Sequence, residues 1–212
     1  LNDMSANEKF STTKFPGVLG IVSPLIALAS IAVAITLSLS WFTWEGNALS
    51  DLGNYNNGLP AAIIFNSGLV VTGLLLLVFS YAFVRAITDL PTKIGMVPFF
   101  IALIFLILIG VLSENAGSIH FTVSVGFFLS FPFAMWFVGF GLLRFRKLWW
   151  FSIISIILPF FSIYMWVSWT TGLFPFWTGN AIPEITTALT AIGWLWIIWL
   201  LYHRGQLSML TE

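Results

Sequence analysis

Glu114 and His120 have the greatest capacity for chemistry in this chain, a carboxylate and an imidazole joined by the short run Asn115-Ala116-Gly117-Ser118. Side chains so placed can form a charge-assisted pair, an acid–base couple, or part of an N/O ligand set for a cation. Asp51, Asn66 and Glu184 are the further polar residues expected to join them. A carboxylate at the C-terminal end of a helix faces the negative helix pole, so Glu114 calls for compensation. Protonated His120 is one source. A bound cation, with neutral His120 and carboxylates from Asp51 or Glu184, is a second. Plain solvation of Glu114 is the third, and the residues leave all three open.

Each of the other polar residues also has an ordinary structural role. Glu184 directly follows Pro183, a first-turn position that the positive helix pole favours. Asn47-Ala48-Leu49-Ser50-Asp51-Leu52-Gly53 reads as an interfacial turn capped by Ser50 or Asp51. Asn66, inside an apolar run, must bond a neighbouring helix or line a polar cavity. Gly68, Gly73, Gly139 and Gly141 suit close helix packing.

The elements that position these residues follow from composition. Of 212 residues, 59% are hydrophobic and 8% charged, with a mean hydropathy of +1.00. That is more apolar surface than a water-soluble fold can hide. Apolar stretches at roughly 17–41, 60–84, 94–113, 118–143, 148–170 and 182–202 are each long enough to cross about 30 Å of hydrocarbon. The predicted fold is all-α: a six-helix transmembrane bundle over 17–202, between polar tails at 1–16 and 203–212.

Charge sets the expected orientation. Lys9, Lys14, Arg85, Lys93, Arg144, Arg146, Lys147 and Arg204 all fall at one end of a six-span arrangement. Lys and Arg accumulate on the cytoplasmic side, so both termini are expected inside and the protein multi-pass in the cell membrane. Glu45, Asp51, Glu114 and Glu184 then lie at the opposite, outer end, which carries no Lys or Arg. Pro132 and Pro159 are expected to kink the fourth and fifth spans.

Several chemistries lack their residues. There is no Cys, hence no thiolate ligand and no disulfide. No Lys falls in an apolar core for a Schiff base. His120 and His203 belong to opposite ends, which excludes bis-histidine haem ligation. No charged residue sits near the midplane, as ion-coupled transport usually requires, and no phosphate-binding Gly loop is present. Net charge is zero, which gives no reason to expect nucleic acid. No cofactor is expected; the expected partners are membrane lipids and other membrane subunits.

Asn47-Ala-Leu-Ser-Asp-Leu-Gly53, Ile64-Phe-Asn66-Ser-Gly68 running into Gly73, Gly110-Val-Leu-Ser-Glu114 with His120, and Ile182-Pro-Glu184 together resemble the family called domain of unknown function 998. These are six-span prokaryotic, often archaeal, proteins. The resemblance covers nearly the whole chain, and Leu112-Ser113-Glu114 departs from the usual Phe-Pro-Glu. It implies the same topology and the same polar residues, and it names no reaction. A more distant likeness to a eukaryotic six-span family implies lipid-related work by analogy only. The expected function is an outer-face polar pocket at Asp51, Asn66, Glu114, His120 and Glu184 for a cation, lipid headgroup or small ligand, or a role as accessory subunit of a membrane complex. The alternative is an enzyme acting on lipid or isoprenoid, with His120 as general base.

Overall fold

The computed structural model describes residues 14–211, with side chains from Gly17 onward. Most of the predicted N-terminal tail lies outside the described residues. Six helices are long and apolar enough to cross a membrane: α1 (Lys14–Leu37), α2 (Leu59–Ala86), α3 (Leu90–Val111), α4 (Ser118–Leu142), α5 (Trp149–Thr170) and α6 (Ala181–His203). No strand occurs among the described residues. Large apolar side chains are exposed around the bundle, including Phe121 at 69%, Tyr81 at 61% and Phe160 at 57%. Such a surface is stable only against hydrocarbon, which makes this a multi-pass membrane protein.

Consecutive helices pack side by side, and α6 closes the ring against α1 while also touching α4. Glycines set the closest approaches. A Cβ on Gly110 of α3 would come 2.5 Å from the backbone oxygen of Asn66 on α2. One on Gly68 would land on the Ser30 side chain, and one on Gly139 would meet Ser155 Cβ at 2.9 Å. Gly73 abuts Ile107, whereas Gly141 has nothing nearer than 3.8 Å, so close packing does not explain it. At mid-depth Phe99 meets Phe131 and Trp194 at centroid distances of 5.5 and 6.0 Å. The fully buried Trp194 indole donates to Ser155 Oγ at 2.8 Å, as an N–H in hydrocarbon must find an acceptor.

Helix ends depart from the sequence reading in two places. The first span ends at Leu37, and residues 38–41 form a turn. Pro24 and Pro98 lie inside helices, as do Pro132 and Pro159. The segment after α6 folds back instead of trailing away. Leu207 and Leu210 are buried, and Leu210 O accepts from the backbone N–H groups of Thr88 and Asp89 at 2.6 and 3.1 Å. Asp89 caps α3 by accepting from Thr92 N at 2.8 Å, and it pairs with Arg144. This basic end also holds Arg85, Lys93, Arg146, Lys147 and Arg204; the opposite, acidic end holds Glu45, Asp51, Glu114 and Glu184.

Candidate functional site at the acidic end

The connection between α1 and α2, residues 38–58, lies over the acidic end and is tied down by long-range hydrogen bonds. Glu45 O accepts from Thr178 N and Gly179 N at 2.9 and 2.8 Å, and Asn47 O accepts from Ala181 N at 2.9 Å. Asp51 Oδ2 accepts from Ala48 N and Asn47 Nδ2, both at 2.9 Å. Asp51 thus stabilises the turn that precedes its own short 3-10 helix, Ser50–Gly53, a local carboxylate role of the kind expected. Asn66 Nδ2 donates to Gly53 O at 2.9 Å, so this amide in α2 clamps the loop from below and bonds no neighbouring helix.

Glu184 does more than its first-turn position suggested. It is only 6% exposed. Its Oε2 accepts from Leu49 N at 2.6 Å and its Oε1 from Asn180 Nδ2 at 3.2 Å. The carboxylate therefore holds the loop to α6 across 135 positions of sequence.

Glu114 and His120 are both at this end, yet each has a different partner from the one the short turn suggests. Glu114 opens a 3-10 turn, Glu114–Ala116, and its carboxyl lies in hydrogen-bonding reach of Asp51. Burial, then the Asp51 charge and hydrogen bond, push its pKa from the ordinary 4.5 up to about 7. Burial is the largest cause and the like charge of Asp51 the next. His120, 6% exposed, sets Nδ1 against Leu112 O at 2.7 Å. A carbonyl only accepts, so Nδ1 carries a proton, and in the neutral ring this leaves Nε2 as an acceptor. Among the described residues Glu114 and His120 form no ion pair with each other. Instead Glu114 Oε2 and His120 Nε2 are both buried without a partner.

The ligand set of His120 with Asp51 or Glu184 does not form. Among the described residues no three of His, Cys, Asp and Glu are grouped to hold a metal ion. Local turn bonds occupy Asp51 Oδ2, and Leu49 N and Asn180 occupy both oxygens of Glu184.

Beneath this cluster lies a feature that the sequence did not reveal, a partly open apolar cavity of about 110 Å³ lined by residues of α1, α2, α3, α4 and α6 and of the loop between α1 and α2. Glu184, Ala188, Ala191 and Leu195 form one wall, a stripe at helical spacing. Ser124, one turn below His120 on α4, forms part of another. Small residues following a carboxylate at i+4 and i+7 were the available signal, hidden because alanine equally serves helix packing. The five expected site residues thus share one end, with Glu184 on the cavity wall and Asn66 serving the loop.

A family model described as "Protein of unknown function (DUF998)" matches residues 21–203. The chain belongs to this family. The match covers all six spans from within α1 to the end of α6, and therefore every candidate site residue of this DUF998 protein. No curated protein matches it, and no solved structure does.

Proposed function

We propose that this DUF998 protein binds the head of a membrane amphiphile at its acidic end, through hydrogen bonds that the head donates. The observation that carries this reading is the pair of buried, unpartnered acceptors, Glu114 Oε2 and His120 Nε2. Buried polar atoms in native proteins are almost always satisfied, and two acceptors at one end call for donors. Hydroxyl or ammonium groups supply donors. Phosphate and carboxylate heads bring negative charge toward Asp51, Glu114 and Glu184, which already act electrostatically on one another. The head is therefore neutral or cationic. With both termini inside, as the basic residues favour, this site faces the outer leaflet.

The test uses purified protein in nanodiscs, with dodecanoylglycerol as a neutral, donor-bearing probe and dodecanoate as its anionic counterpart. Dodecanoylglycerol should raise the apparent melting temperature of wild type, and Glu114→Gln and His120→Ala should each bind it about tenfold more weakly. Equal binding of both probes, or no difference among the three proteins, would defeat the proposal.

One observation favours a second reading, in which His120 acts as a general base on a lipid substrate. The Leu112 carbonyl fixes the tautomer that leaves Nε2 able to take a proton. Lipid turnover that persists in His120→Ala would eliminate it.

A further inference from the structure

We infer that the apolar cavity is the seat of the amphiphile's hydrocarbon chain, so that the ligand is a single-chain lipid held tail-down inside the bundle. This rests on the head-binding reading above and adds to it where the chain goes and how many chains fit.

Three observations carry it. The first is depth. On α6 the lining runs from Glu184 to Leu195, and on α2 from Phe65 to Leu76; eleven helical steps cover about 16 Å in each case. Both stripes start at the acidic end and stop at mid-membrane, where Phe131, packed against Phe99, forms the floor.

The second is polarity. Glu184 and Ser50 mark the end of the shaft under the loop. Deeper down, Thr72 donates its hydroxyl to Ser23 O at 3.1 Å and leaves no demand for a polar ligand group. The walls are thus almost wholly apolar, and the one carboxyl among the lining residues, Glu184, stands at the acidic end, so an amphiphile in this cavity would have its head toward that end.

The third is width. Spread along about 16 Å, a volume of about 110 Å³ leaves about 7 Å² of cross-section for the centres of water-sized groups, and less for the wider methylenes of a chain. One hydrocarbon chain fits that track, and two do not. Because lipid tails are as apolar as the shaft, moving a chain from bilayer to cavity gains little from the hydrophobic effect. Selectivity must come from fit, which favours one chain of matching length.

The experiment photolabels wild type in nanodiscs with dodecanoylglycerol carrying a diazirine at the chain end, followed by peptide mapping. Binding is measured in parallel for the same head on two dodecanoyl chains, and for Ala191→Phe, which blocks the shaft far from Glu114 and His120. The inference expects label around Leu76 and Leu195, at least tenfold weaker binding of the two-chain lipid, and a similar loss in Ala191→Phe. Label on outward residues such as Phe133 and Phe137, with undiminished binding in Ala191→Phe, would overturn it while leaving the head site intact. Binding insensitive to Glu114→Gln and His120→Ala would instead remove the reading beneath it. The label map needs no variant, so a misfolded Ala191→Phe does not blunt the test.

Discussion

Replacing Glu114 by Gln should stabilise the protein at pH 8 and have a much smaller effect at pH 5. The carboxyl is pushed from 4.5 up to about 7 by burial and by Asp51. The folded state therefore holds this proton more tightly than the unfolded state. Stability falls as pH rises from about 4.5 to about 7, and levels off above that. A rise of that size corresponds to about 3.4 kcal/mol for a fully desolvated group. Glu114 is only partly buried, and solvent screening reduces the figure to about 1.5 kcal/mol. Gln keeps the shape and an N–H donor toward Asp51 while carrying no charge at any pH. Melting in nanodiscs at pH 5 and pH 8 measures the gap between the two proteins. At pH 8 the variant should melt about 3–6 °C higher, by the usual scaling for a chain of this size. A gap of equal size at both pH values would refute the electrostatic account of Glu114.

Gly110→Ala should cost about 1–3 kcal/mol by forcing α3 away from the Asn66 backbone oxygen, whereas Gly141→Ala, whose Cβ would sit in ordinary contact with Pro91 at 3.8 Å, should be nearly silent; denaturation of the two variants side by side checks this. Asn66→Leu removes the donor to Gly53 O and should expose residues 50–57 to faster hydrogen exchange, at a cost of about 1–3 kcal/mol. Because the chain has no Cys, single-cysteine variants report orientation directly. In cells, Asn56→Cys should react with an impermeant maleimide and Gln206→Cys should not; the reverse pattern would invert the orientation drawn from the basic residues.

The bundle was legible because length and hydropathy of each span are local properties, and because Lys and Arg avoid one end. Local reading failed where partners are distant in sequence. Glu184 looks like an ordinary helix-start carboxylate until Leu49, 135 residues away, is placed against it. Glu114 and His120 look like a pair because only five residues separate them, yet the chain delivers Asp51 to one and Leu112 O to the other. The Asp51 contact depends on a loop whose course is set by bonds from Glu45 and Asn47 to residues 178–181. The cavity was illegible for another reason: Ala27, Ala188 and Ala191 are the residue types that let helices touch, and only the assembled ring reveals that here they leave room. The polarity of the tail after α6 hides Leu207 and Leu210, which are buried against the bundle.

The ring closes only through α6, and this bears on how the protein is made. Its first five helices can be released into the bilayer before the sixth is synthesised, and at that stage the space between α1 and α4 lies open to lipid along one side. The last helix brings Glu184, Ala188, Ala191 and Leu195 together, and with them both the missing wall and the anchor for the loop. Whatever occupies the interior can be enclosed during biogenesis, as the final span swings in, without having to thread past a finished lid.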